Sequence, residues 1–310
     1  HLDHQLVTAT VPSTTATSLT SLGTGVAPGQ HGVMGYMFRP GVGEPVFNAL
    51  AWNTEHTSET IQPRPTWWQR INESRPGQAI CWGVVPARFE DSGLTGAAMR
   101  GQVVSPVADE GDEEERIRRT VEAAAGDQAV VYVYERMLDH TGHTLGVAHP
   151  AWRQQLRRID RFLRRLRDRL DDDVVMLVTG DHGMVDIPQD RRIVLEDHAD
   201  LTQGLEALGG EGRLRQLYTP DPAGMVRRWT GRLGERAWIR TREQAVAQGW
   251  FGPEPDPALT DRIGDVVVAM RERWAVMARS LPGEWGLVGM HGSLTPDEMR
   301  VPLLVAEGGQ

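Results

Sequence analysis

Lysine is absent: all 33 basic residues are arginine, set against 42 acidic ones for a formal net charge of −9. An acidic chain offers no broad positive face, which excludes a bulk nucleic-acid binder. A small phosphorylated ligand is not excluded, because a bound metal reverses the field locally. Cysteine is nearly absent too. The single Cys81 excludes an intrachain disulfide framework and a cysteine-built zinc site. Its place in the apolar run Ala79–Val85 marks it as a buried structural thiol. Nowhere do eighteen apolar residues run together, so no membrane-spanning helix and no membrane partner are expected. The opening His1-Leu2-Asp3-His4 has neither an initiator methionine nor an export signal. The expectation is a cytoplasmic chain that has lost an N-terminal segment.

What is present suits one large α/β domain: 310 residues, 40% hydrophobic and 24% charged. Three apolar, β-branched runs read as buried strands of a parallel sheet, Ala79–Val85, Ala129–Tyr134 and Val174–Thr179, with Arg262–Ala269 as a fourth. Between the second and third, Trp152, Leu156, Ile159, Phe162, Leu163, Leu166 and Leu170 follow helical spacing across Ala151–Leu170. The opposite face of that helix is arginine-rich, as a solvated surface is. Strand, helix, strand makes a βαβ unit and predicts a three-layer αβα sandwich with a mostly parallel central sheet. Gly41–Thr66 and Leu201–Gly252, with weaker periodicity, read as cap insertions on a single domain. The acidic run Asp109–Glu115 reads as a solvated loop leading into a helix.

Four segments concentrate unusual polar residues, and three of them follow predicted strands, where ligands gather in open parallel sheets. In the first, a strand runs into Asp139 with His143 four residues on. A hard carboxylate and an imidazole at that spacing can converge on one divalent metal, or can simply decorate a polar loop. In the second, Val174–Thr179 ends in Gly180-Asp181-His182-Gly183-Met184. The flanking glycines permit the bend that would bring adjacent Asp and His onto one ion; the alternative is a tight turn with an exposed pair. In the third, His291 stands beside Gly292 and two residues after Gly289, and supplies the third ligand that Asp139 and His143 lack. In the fourth, Val11-Pro12 is followed by a hydroxyl-rich stretch, Ser13 to Thr24, that opens a helix. Such an opening offers N–H groups and hydroxyls to an anion.

Together these segments resemble the nucleotide pyrophosphatase/phosphodiesterase branch of the alkaline phosphatase superfamily. The matching elements are Pro12 through Thr15, Thr24-Gly25, His31-Gly32, Asp139-x-x-Gly142-His143, Asp181-His182-Gly183-Met184 and His291-Gly292. They come in the family's order across nearly the whole chain. The resemblance implies Thr15 as nucleophile. It assigns Asp139, His143 and His291 to one metal, and Asp181, His182 and Thr15 to a second. Ser18 stands where nucleotide-cleaving members place an asparagine that holds a phosphate oxygen, and its shorter side chain leaves the substrate class open. The family's Asp-Gly pair after the first core strand has no counterpart here, since Asp3 precedes a histidine and follows no strand.

The implied chemistry is in-line attack of Thr15 on phosphorus, helped by two divalent ions, through a phospho-threonine intermediate. Mixed Asp/His ligation suits zinc first, then manganese or another divalent metal. The expected substrate is a small phosphodiester or pyrophosphate such as a nucleotide. Two alternatives stand beside it: a phosphomonoesterase on the same scaffold, and a metal-binding homologue without turnover. Tyr36, Phe38, Trp52, Trp67 and Trp68 read either as a stacking platform for a base or as ordinary cap packing. His31 reads as a structural residue.

Overall fold

The computed structural model describes residues 3–77 and 80–307, so His1, Leu2 and the Ala79 end of the first apolar run lie outside the described residues. Strand β1 (Asp3–Thr8) leads to helix α1 (Thr15–Thr24). Next come β2 (Cys81–Pro86), β3 (Val103–Val107), α2 (Glu113–Ala124) and β4 (Val130–Val133). Helices α3 (Met137–Leu145) and α4 (Pro150–Arg167) precede β5 (Met176–Thr179). The following region holds β6 (Ala207–Glu211), β7 (Leu214–Tyr218), α5 (Pro222–Leu233), β8 (Ala237–Thr241) and β9 (Val266–Met270), and β10 (Arg300–Ala306) comes last.

The class is α/β, and among the described residues the strands are hydrogen-bonded in separate parallel and antiparallel groups. β3, β2 and β4 form a parallel trio in that order, with Cys81 opposite Val130 and Trp82 opposite Val103. β5, expected beside β4, pairs antiparallel with β10 instead, and β10 pairs antiparallel with β1. The physical link between the two trios is their helical cover. Val133 of β4 and Met176 of β5 pack into one cluster with Ile117 of α2 and Phe162 and Leu166 of α4. The βαβ order is therefore present in packing, without hydrogen bonds between β4 and β5 among the described residues.

The helices obey their end signals. Asp112 caps α2 by accepting from the Glu115 N–H, and Glu113, Glu114 and Glu115 fill its first turn, where the helix dipole favours carboxylates. The acidic run thus becomes a helix start. α4 opens with Pro150 and closes three turns past Leu156, with Arg167 donating to the carbonyls of Leu170 and Asp171.

The predicted fourth strand is Val266–Met270, shorter than expected because Thr260–Arg262 forms a tight helical turn. It lies inside an antiparallel sheet ordered β6-β7-β9-β8. Most of Leu201–Gly252 thus builds a sheet with its own core of Leu217, Met225, Trp229, Val266 and Val268. Arg213, just before β7, and Arg215 within it are both fully buried and ion-paired, with Glu298 and Glu284 respectively. Among the described residues no helix is long and apolar enough to cross a membrane.

Candidate active site

Thr15 occupies the first position of α1, directly after the extended Thr14. Thr14 makes no side-chain cap, so the first-turn N–H groups of α1 remain available to an anion. The Thr15 hydroxyl lies 3.1 Å from His182 Nε2. The turn before it is stitched to the His291 loop. Ser13 N–H donates to the Gly292 carbonyl at 3.1 Å, Gly292 N–H donates to Ser13 Oγ at 3.2 Å, and Ser13 Oγ donates to the Ser293 carbonyl at 2.8 Å.

Asp139 and His143 sit on α3, not on a loop, and their i,i+4 spacing brings them to one face with Oδ1 3.3 Å from Nε2. The Asp181-His182 bend follows β5. Gly183 makes it feasible: a Cβ there would lie 2.0 Å from the Asp297 carbonyl oxygen, and its N–H donates to the Glu298 carbonyl at 2.7 Å. Met184 then locks this bend against α3 and the loop before His291. Its sulfur fills the space that a Cβ on Gly142 or on Gly289 would need, 2.5 Å away in both cases.

Three imidazoles share one arrangement. His143 Nδ1 donates to the Gly289 carbonyl at 2.8 Å, His182 Nδ1 to the Gly183 carbonyl at 2.9 Å, and His291 Nδ1 to the Ser13 carbonyl at 2.9 Å. Each Nε2 is thereby left as a bare acceptor. His143 Nε2 and His291 Nε2 lie 3.2 Å apart, and the His182 and His291 rings stack with centroids 3.7 Å apart. Asp139 Oδ1 is buried with no hydrogen-bond partner. Burial first, then the neighbouring His182 and His143 rings, push the His291 pKa well below its usual value, so that ring is neutral and ready to ligate.

A convergence of bare imidazole nitrogens and an orphaned carboxylate oxygen fits a divalent cation. Ligand atoms of Asp139, His182 and His291 all lie within 4.8 Å of one another. That group cuts across the two ligand sets the resemblance implies. Asp181 lies beside it, its Oδ1 accepting from the His182 N–H at 3.1 Å and its Oδ2 3.7 Å from His182 Nε2.

The site brings Thr15, Asp139, His143, Asp181, His182 and His291 together. Ser18 is placed differently: it is buried one turn into α1, with its hydroxyl 2.9 Å from that of Thr10. Of the aromatics, Phe38 and Trp68 are buried and Phe47 packs edge-on against both Phe38 and Trp52, which is core packing. His31 is fully buried, its Nδ1 accepting from the Val33 N–H, as a structural residue should be.

Sequence reasoning missed Ser13, Glu211 and the Arg213–Glu298 pair. Only Ser13 carried a signal, through its place in the hydroxyl-rich stretch. Glu211 reaches the site from the end of β6, and burial drives its carboxyl pKa well above the usual carboxylate range, with Thr14 partly offsetting this.

Residues 3–294 match the family model described as type I phosphodiesterase/nucleotide pyrophosphatase. The chain belongs to that family. The murine ectonucleotide pyrophosphatase/phosphodiesterase 5, solved in an inactive form in complex with AMP, is similar with a TM-score of 0.74 at 18% identity, covering 96% of this chain and 78% of that one. The human counterpart gives 0.75 at 18% identity, covering 97% and 78%. At that identity the likeness speaks for the fold. Among curated proteins, GPI ethanolamine phosphate transferase 3 of Schizosaccharomyces pombe is 47% identical over 47 residues, 15% of this chain and 5% of that protein. The catalytic subunit of the human transferase is 35% identical over 60 residues, 19% of this chain and 6% of that protein. The chain thus spans only a small fraction of the curated relatives it matches.

Proposed function

We propose that this chain cleaves phosphodiester or pyrophosphate bonds in small nucleotide-type substrates, with Thr15 as nucleophile in a site for two divalent cations, zinc foremost. The observation that carries the reading is the Thr15 hydroxyl, seated at the start of α1 and 3.1 Å from a bare imidazole nitrogen in the Asp/His cluster. Bound cations would supply positive charge to developing oxyanions and lower the pKa of a hydroxyl or water. Asp139, His143 and His291 would hold one, and Asp181, His182 and Thr15 the other.

The protein's own groups then do the following. Thr15 Oγ1 loses its proton to solvent and forms a bond to phosphorus as the opposite P–O bond breaks. The departing oxygen is protonated from solvent. Free N–H groups in the first turn of α1 hold the phosphoryl oxygens. Water then attacks the phospho-threonine, restoring the hydroxyl and releasing a phosphate product. Ser18, tied to Thr10, would act as support for the turn carrying Thr15 or swing to a phosphate oxygen. The AMP in the murine structure favours a nucleotide-type substrate.

A second reading is favoured by the transferase relatives: the same phospho-threonine passes its phosphoryl group to an acceptor alcohol instead of water. The test is hydrolysis of bis-p-nitrophenyl phosphate, with p-nitrophenyl phosphate alongside and metal content measured by elemental analysis. Parent protein should turn over the diester faster than the monoester. Thr15→Ala should lose activity by on the order of 10³-fold or more while the cation held by Asp139, His143 and His291 stays bound. Activity near the parent level in that variant would rule out Thr15 as nucleophile. Product partition between water and an added alcohol separates hydrolysis from transfer.

A further inference from the structure

We propose that Glu211, at the tip of the β6–β7 hairpin, is the positioning residue that holds His291 and the Thr14–Thr15 turn in register with each other. The inference rests on the metal-site reading above and extends it to a residue outside the family's motifs.

The hairpin delivers this side chain from a fixed base. Glu211 pairs with Leu214 across the ladder, and Gly210, at φ 72°, passes so close to Leu214 that a Cβ there would meet its carbonyl oxygen at 2.0 Å. β7 behind it is buried along its whole length. From that base the carboxylate of Glu211 extends to within 3.5 Å of His291 Nδ1. It meets the ring on the nitrogen that already donates to the Ser13 carbonyl, and so on the side away from the ligating Nε2. Gly292 lies against the same side chain. At φ 123° it is a position for glycine, and a Cβ there would be 2.9 Å from both Cγ and Oε1 of Glu211.

The remaining oxygen, Oε1, is buried and has no hydrogen-bond partner. A buried polar group left unpaired costs stability, so a carboxyl retained there has a use other than stability. Its neighbours give that use. The carboxyl lies against His291 and Gly292, Thr14 is its side-chain hydrogen-bonding neighbour, and Ser13 bonds the Thr14 turn to the His291 loop. Glu211 therefore wedges the nucleophile turn and the His291 loop at a set separation. Two residues on, Arg213 braces the other half through Glu298, whose carbonyl holds Gly183 beside His182.

The experiment is titration with Co²⁺, read by affinity and by the visible absorption spectrum, on the parent and on Glu211→Ala, Glu211→Asp and Glu211→Gln. Glu211→Asp keeps a carboxyl but withdraws it by one methylene, and Glu211→Gln keeps the length. Ala and Asp should weaken Co²⁺ binding about 10- to 100-fold, the range seen when groups behind metal ligands are removed, and should shift the absorption bands. Gln should stay within about threefold of the parent. Circular dichroism of the metal-free proteins checks folding, and should Ala not fold, the Asp and Gln pair carries the comparison. Parent affinity and spectrum in the Asp variant would overturn the proposal. A parent that binds no Co²⁺ would overturn the metal reading itself, and this inference with it.

Discussion

Nε2 of His143 lies 3.2 Å from Nε2 of His291, while Nδ1 of each ring donates to a backbone carbonyl. Two acceptor lone pairs held face to face repel unless a cation stands between them. The helix that carries His143 and the loop that carries His291 are locked by Met184 and the Ser13 bridge, so the rings cannot easily turn apart. Metal should therefore stabilise this fold strongly. Zinc at about a hundred times its Kd should add about 2.7 kcal/mol of stability. In thermal unfolding, EDTA should lower Tm and added zinc should restore it, with both responses reduced in a His143→Ala variant, which keeps only the Asp181/His182 ligands intact. A Tm indifferent to chelator and zinc would contradict this.

Gly183 should be irreplaceable. A Cβ at this position would sit 2.0 Å from the backbone oxygen of Asp297, and backbone cannot yield as a side-chain end can. Gly183→Ala should cost about 1–3 kcal/mol in urea denaturation. Because the displaced segment carries Asp181 and His182, it should also weaken metal binding. A Gly183→Ala protein with parent stability and parent metal affinity would mean the loop relaxes freely.

These two cases show what the sequence could carry. The site was legible because its residues cluster in short local motifs after strands: Asp139 and His143 share a helical face, Asp181 and His182 a glycine-flanked bend. Pairing between distant strands was not legible. An apolar run such as Val174–Thr179 reads as a strand whatever its neighbours, and only tertiary contacts place β5 against β10 in antiparallel register. Leu201–Gly252 was harder still. At the start of β7 and just before it, Arg213, Arg215 and Gln216 are all buried, so a polar pattern that reads as outward-facing is turned inward. Their partners Glu298, Glu284 and the Met34 carbonyl are remote in sequence.

The open edges of the two strand trios have their own consequence. β4 is hydrogen-bonded to β2 and β5 to β10, and the other edge of each is unpaired among the described residues. On β5, Leu177 is 65% exposed. An exposed apolar edge strand templates pairing with other chains. Leu177→Lys should reduce concentration-dependent aggregation in light scattering without altering metal affinity. Amides along β4 and β5 should exchange with deuterium faster than those of the doubly paired β2. Equal protection across the three strands would show that the edges are covered.

Arg213 and Glu298 form a two-pronged pair at 3.0 and 2.7 Å with both side chains at 0% exposure. Desolvation of both charges makes such a pair a weak net stabiliser but an expensive one to break. Glu298→Leu should therefore cost about 3–5 kcal/mol in urea denaturation, and adding Arg213→Met should recover part of that loss. Full additivity of the two substitutions would show that the pair is not coupled.

His31 should make the fold acid-sensitive in a way that is independent of the metal site. The ring is buried, its Nδ1 accepts from the Val33 N–H at 3.1 Å, and its Nε2 lies 3.0 Å from the Ser21 hydroxyl. Burial lowers its pKa from 6.5 to about 3, slightly opposed by the Thr17 backbone. The folded-state value is below the unfolded one, so between them the unfolded chain binds the proton and the native state does not. The contribution is fully present above pH 6.5 and is lost as pH falls from there towards 3. At pH 5 the loss is about 2 kcal/mol. His31→Gln should be less stable than the parent at pH 7.5, having lost a fitted ring. Its further loss on going to pH 5 should nonetheless be smaller than the parent's by about 2 kcal/mol in urea titrations of the two proteins. Equal pH slopes would mean that His31 stays accessible to protons in the folded state, and that the acid sensitivity arises elsewhere.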